Sequence, residues 1–263
     1  AESKVRRAFQ RCAESGVLNL SEQGLAGSLP DSVCNFQEAS HAECWWDQCP
    51  VTKIDVSHNT LESIPPDIGR LSECTVFVAV SNALRSVPDE LLTELPLKQL
   101  NLRLNQLTTL PGAAFACAEQ LVELVLTENR LASLPVEVFG LPDLQVLEVA
   151  SNQLTELPDI AWACQKLKRL VISKNRLGPC LPSGLAACGT LRELAAGSNE
   201  LEEVGRLLSV GPGHGWRESL TAVDLSQNQL SVLRVAGLDA LDSLNIAGNR
   251  IASLDLGVRA PRP

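Results

Sequence analysis

Apolar positions along this chain recur in one short phrase, L-x-x-L-x-L-x-x-N-x-L. It stands clearly at Leu97, Leu100, Leu102, Asn105 and Leu107, and again at Leu121, Leu124, Leu126, Asn129 and Leu131. The asparagines Asn59, Asn82, Asn105, Asn129, Asn152, Asn175, Asn199, Asn228 and Asn249 fall 23, 23, 24, 23, 23, 24, 29 and 21 residues apart. Within each phrase the x-L-x-L-x core alternates, which predicts one short strand with its leucines pointing inward. The Asn then enters a turn, where its carboxamide can donate to and accept from backbone groups of adjacent coils. A single coil cannot bury its own leucines, whereas stacked coils share one core. A tenth, irregular coil opens the series at Leu18, Leu20 and Leu25, with Gln23 in the Asn slot.

A second phrase, L-x-x-L-P, follows most of the asparagines. It reads Leu61, Ile64, Pro65; Leu84, Val87, Pro88; Leu107, Leu110, Pro111; Leu131, Leu134, Pro135; and Leu154, Leu157, Pro158. Proline lacks a donor for a sheet and so opens the far side of the coil. The next apolar residue (Ile68, Leu91, Phe115, Val138, Ile160) is expected to pack under that arc. These two phrases resemble the leucine-rich repeat family, in the typical 23-residue subclass of the Ras-suppressor and Erbin groups. The resemblance implies an α/β solenoid shaped as a horseshoe. One parallel β-sheet would line its concave face, with short helices or irregular turns on the convex face. The whole of 1–263 is expected to form a single domain, with about ten repeats over 17–256.

The period breaks twice. Gln23 to Asn59 spans 36 residues, with an insertion near 31–50, and Asn199 to Asn228 spans 29, with an insertion near 205–217. Insertions in repeat arrays map to loops, often on a binding face. Ahead of the repeats, Val5, Ala8, Phe9, Cys12 and Ala13 fall on one face at helical spacing. This predicts an amphipathic helix over 3–15, stopped at Gly16 and lying across the open end of the first coil. At the other end no amphipathic segment follows Leu254 and Leu256. The last coil is therefore expected to dock onto something or to continue in a longer chain.

The first 60 residues carry a narrower likeness. The run Ser15-Gly16-Val17-Leu18-Asn19-Leu20-Ser21, then Trp45-Trp46-Asp47, then Val51-Thr52-Lys53-Ile54 and Ser57-His58-Asn59 resembles the opening of the leucine-rich repeat-containing protein 40 family. That resemblance implies an intracellular scaffold. This chain departs from the family in being shorter and in placing Cys44 and Cys49 around the tryptophans.

A net charge of −9 argues against a general nucleic-acid binder, because phosphate neutralisation needs a basic surface. No apolar run approaches the ~18 residues of a membrane-spanning helix, so no membrane insertion is expected. The nine cysteines are odd in number and lack a repeated pair spacing. Cys117, Cys164 and Cys188, each three or four residues ahead of a strand's first Leu, read as buried thiols in small core slots. A reducing, cytoplasmic setting follows. Cys34, His41, Cys44 and Cys49 supply four donors of the kind zinc takes, but C-x6-H-x2-C-x4-C matches no standard zinc spacing, so no metal and no cofactor is assigned. The three histidines are scattered and no nucleophile–base set stands out, which leaves catalysis no foothold and no catalytic residue.

Binding has better candidates. Side chains six, four and two residues before each Asn alternate with the leucines and face solvent. Among them Val76, Val78, Val80, Val125, Val146 and Val171 are expected to form an apolar band. Lys53, Asn101, Arg103, Glu123, Glu148 and Arg169 supply its polar and charged rim, a composition that marks protein contacts. Trp216, in a glycine-rich insertion, reads either as a partner anchor or as a tether for its loop. The leading expectation is a non-catalytic scaffold or adaptor that holds a protein partner on the concave face. The other readings are a structural subunit of a large intracellular assembly, docked through its carboxyl end, and a secreted recognition receptor whose cap holds a Cys44–Cys49 disulfide.

Overall fold

The computed structural model describes residues 7–8, 11–12, 15–34, 51–204, 207–210 and 214–255, in two compact units, Ala1–Arg130 and Leu131–Pro263. In the first unit the strands Val17–Asn19, Lys53–Asp55, Val76–Val78, Gln99–Asn101 and Glu123–Val125 pair in parallel, each with the next. Their middle residues Leu18, Ile54, Phe77, Leu100 and Leu124 stand in one register row, and none is more than 1% exposed. The second unit repeats the arrangement with Val146–Glu148, Arg169–Val171, Glu193–Ala195, Ala222–Asp224 and Ser243–Asn245. Parallel neighbours cannot be joined by hairpins, so every connection runs round an arc. Each unit is thus a leucine-rich-repeat solenoid in which each coil gives one strand to this row, while Ala26–Ser28 with Thr60–Ser63 and Val232–Arg234 with Ser253–Asp255 form separate two-stranded sheets.

The Asn slot holds the coils together. The Leu107 N–H donates to Asn129 Oδ1 at 3.0 Å, while Asn129 Nδ2 donates to the Leu102 and Leu126 carbonyls at 3.0 and 2.9 Å. The same N–H···Oδ1 bond, from one coil to the Asn of the next, forms nine times, from Leu25 to Asn59 through to Leu230 and Asn249. Seven of these asparagines are buried, which such saturation of the amide makes affordable. The residue just before each Asn takes a left-handed backbone. Glu22, ahead of Gln23, and His58, Ser81, Leu104, Glu128, Ser151, Lys174, Ser198 and Gln227 lie at φ 54–61°, and Gly248 at 72°. None of them is β-branched, the class that this conformation punishes most.

Proline prepares the arcs. Pro65, Pro111, Pro135 and Pro182 sit extended at the N-caps of Pro66–Arg70, Gly112–Phe115, Val136–Gly140 and Ser183–Ala187, each about one helical turn long. Ile68, Leu91, Phe115 and Val138 are fully buried beneath their arcs, as their spacing predicts. Ile160 is not: it is 44% exposed, and Trp162, two residues on, fills the place instead. The Trp162 ring centroid lies 4.3 Å from that of Phe139, and its Nε1 donates to the Pro158 carbonyl at 3.1 Å. A bulky indole suits the space, so the smaller isoleucine is turned out.

Of the amino-terminal helix, Arg7, Ala8, Arg11, Cys12 and Ser15 are described and helical. Ala8 and Cys12 are buried, Arg7 and Arg11 exposed, and Gly16 at φ 67° donates its N–H back to the Cys12 carbonyl. The remainder of 3–15, most of the insertion near 31–50, parts of that near 205–217, and 256–263 lie outside the described residues. Among the described residues no helix is long and apolar enough to cross a membrane.

Candidate functional site on the strand face

Strand alternation places the candidate rim and band residues on the side of the sheet away from the leucines. In the first unit Val76, Val78 and Val80 fill all three outward places of one coil, and each is half-buried. By register Val76 lies between Lys53 and Gln99, and Val78 between Asp55 and Asn101. The result is an apolar strip one coil wide, between polar rails.

Those rails are largely committed. Asp55 Oδ1 accepts the Ser57 N–H at 3.0 Å and Asn101 Oδ1 accepts the Arg103 N–H at 3.1 Å. Both side chains therefore close their own strand, as short polar side chains do at turns. Arg103 aims Nε and Nη2 at one oxygen of Glu128, at 3.1 and 2.7 Å, and Gln99 Nε2 donates to Glu123 Oε2 at 3.1 Å. Lys53 differs: among the described residues no carboxylate lies within ion-pair distance of it. Val125 departs from its expected role. It is only 5% exposed, so it offers a partner little apolar surface.

In the second unit Arg169 forks between two neighbouring coils. Its Nε lies 3.1 Å from Glu148 and its Nη1 3.5 Å from Glu193. Val146 stands beside Arg169 in register, and Val171 between Glu148 and Ala195. An exposed ion pair of this kind contributes at most about 1 kcal/mol of stability, so the cluster matters more for how it presents charge than for holding the coils. Sequence reasoning passed over Glu128 and Glu193 as pairing partners. The signal for Glu193 was the register row, one coil beyond Arg169. For Glu128 it was the left-handed slot before Asn129, which throws its side chain back toward the strand face.

Trp216 is no surface anchor. It is fully buried at the head of the turn Trp216–Ser219, and its Nε1 donates to the Cys188 carbonyl at 2.7 Å. The neighbouring glycine explains the placement: a Cβ on Gly215 would come within 2.2 Å of the Gly189 carbonyl oxygen. Only glycine lets the inserted segment press against the preceding coil and drive the indole inward. The tethering alternative is the one realised.

The thiols also divide. Cys164 and Cys188 are fully buried, but Cys117 is exposed. The equivalent core slot three residues before the strand's first Leu is occupied there by Ala118, 5% exposed, so Cys117 stands one place out of step. Burial pushes the Cys74 thiol up to about 12. Cys34 also rises to about 12, chiefly through burial, with Asp67 and Asp31 adding to it. Of the four zinc candidates only Cys34 is described; His41, Cys44 and Cys49 lie outside the described residues. Among the described residues no group of three or more His, Cys, Asp or Glu side chains is placed to hold a metal ion.

Comparison with known proteins agrees with this architecture. Residues 75–131 and 119–177 match the leucine rich repeat family model. No curated protein matches the sequence. Among solved structures, a leucine-rich-repeat protein of Leptospira interrogans is similar with a TM-score of 0.75 and 27% identity, covering 94% of this chain and 58% of its own. YopM of Yersinia enterocolitica gives a TM-score of 0.65 at 25% identity, covering 98% of this chain and 49% of its own. A chain of the Toll–Spatzle complex of Drosophila gives 0.69 at 22% identity, covering 88% and 31%. The chain thus spans between about a third and three fifths of the length of these structures.

Proposed function

We propose that this protein is a non-catalytic interaction scaffold or adaptor, which holds a protein partner on the strand face of its repeats in a reducing, cytoplasmic setting. The observation that carries this reading is the strip Val76, Val78 and Val80: three half-buried apolar side chains on a face where alternation calls for polar ones. Lys53 at its margin, which no carboxylate among the described residues pairs, is offered to a partner carboxylate, whereas Arg103 and Arg169 come to the contact already oriented by Glu128, Glu148 and Glu193. The solved neighbours include Toll in complex with Spatzle, a repeat protein seen with a protein partner, which supports the same direction. The odd cysteine count supports the reducing setting, and the amino-terminal pattern supports kinship with the leucine-rich repeat-containing protein 40 scaffolds.

The test is affinity capture from the source cell, comparing the natural chain with Val78→Glu and Lys53→Glu. Partner recovery is expected to fall at least tenfold for Val78→Glu and severalfold for Lys53→Glu, with unchanged circular dichroism. Equal recovery from all three would sink the proposal. A second reading, a subunit of a larger assembly, is favoured by the last described coil, where Leu254 is 47% exposed. Loss of the partner on Leu254→Glu alone, with Val78→Glu harmless, would select it.

A further inference from the structure

The second unit holds a pair of thiols that the strand-face reading does not use. Cys164 and Cys188 occupy the same place in successive coils, three residues ahead of Leu167 and Leu191, so the repeat itself stacks them. Their Sγ atoms lie 3.8 Å apart, and neither residue is exposed. A disulfide needs about 2.05 Å, a closure of less than 2 Å that side-chain rotation and a slight settling of one coil supply. We propose that Cys164 and Cys188 are a vicinal dithiol modification site, oxidised to an intrachain disulfide by a low-molecular-weight disulfide of the glutathione class. The bond staples two successive coils, those whose strands are Arg169–Val171 and Glu193–Ala195.

The chemistry balances without any further co-reactant. The Cys164 thiolate attacks one sulfur of the oxidant, forming a mixed disulfide and releasing one small thiolate. The Cys188 thiol, losing its proton to solvent, then attacks Cys164 Sγ and expels the second small thiolate. Two protein thiols are oxidised and one small disulfide is reduced to two thiols. The two sulfurs share one hydrogen bond, which lowers the Cys164 thiol from its ordinary range and raises that of Cys188. Access comes through the arcs. Residues 160–163, just before Cys164, form no helix or strand, with Ile160, Ala161 and Ala163 exposed, and Cys188 follows the single turn Ser183–Ala187. Local opening of these arcs, short of global unfolding, admits the oxidant.

The test uses the full chain carrying Cys180→Ser, because Cys180 and Cys188 share one tryptic peptide whereas Cys164 lies in another. The protein is incubated with oxidised glutathione under native conditions and mapped by mass spectrometry. The expected result is a Cys164–Cys188 cross-linked peptide two hydrogens lighter than its parts, carrying no glutathione, with a raised urea midpoint that returns on reduction. The Cys164→Ser and Cys188→Ser chains should show neither the cross-link nor the shift. Glutathione retained on either thiol, a cross-link to some other cysteine, or modification confined to exposed thiols such as Cys117 would each overturn the proposal. Because the readout is a covalent mass, failure of the partner-binding reading would leave it untouched.

Discussion

The strand side of each coil and its arc solve the same burial problem under different rules. On the strand side the Asn slot and the left-handed conformation just before it return almost unchanged from coil to coil, and the inward middle residue is most often leucine. Along the arcs the core is filled by Ile68, Leu91, Phe115, Val138, Trp162, Leu185 and Trp216, no two neighbours alike in shape. The difference follows from what each side must satisfy. Backbone donors and acceptors sit at fixed spacing, and only a carboxamide at one position meets them. An arc needs only volume, which many side chains provide.

Substitutions can break this contrast. The largest expected effect is on the arc side: Trp216→Ala should lower unfolding free energy by about 3–5 kcal/mol, since it leaves a large cavity and removes the indole bond to the Cys188 carbonyl. Chemical denaturation measures it, and a loss under about 1 kcal/mol would return Trp216 to the surface. Next, Asn129→Ala and Asn175→Ala should each cost about 2 kcal/mol by orphaning one buried N–H, that of Leu107 or Leu154. The costs should agree within roughly 0.5 kcal/mol, because the bonds are the same. Widely different values would mean that the slot is not equivalent between coils. A smaller test uses the left-handed slot. Leu104→Val should cost about 1 kcal/mol and Leu104→Gly should gain about 0.5 kcal/mol, read as opposite shifts in melting temperature. Smallest of all, Arg169→Ala should change stability by no more than ~1 kcal/mol, although it removes two ion pairs at once.

The strand side was legible from the sequence because its constraints are local and periodic. The leucine rows, the Asn bonds and the prolines that open the arcs all stand where spacing alone puts them. The arcs were less so. Choosing Trp162 over Ile160 depends on which side chain fits a space made by Phe139, a contact between residues 23 positions apart in sequence. Trp216 read equally as a partner anchor or a loop tether; what decides it is the backbone approach of Gly215 to Gly189, which no linear pattern shows. Alternation marked the outward places of each strand. Sequence could not show that Asn101 and Asp55 spend their oxygens on their own strands, that Arg169 is shared by two carboxylates, or that Val125 is buried.

One consequence of the asparagine bonding concerns how such a chain can change size. Each carboxamide serves its own turn and the turn before it, so a cut made within a turn strands donors on one side and acceptors on the other. A cut from Asn to Asn rejoins matching halves. Lengthening or shortening the array is therefore tolerated in steps of about 23 residues, the separation of Asn59 from Asn82, and duplication of gene segments of that length is the natural route by which it grows.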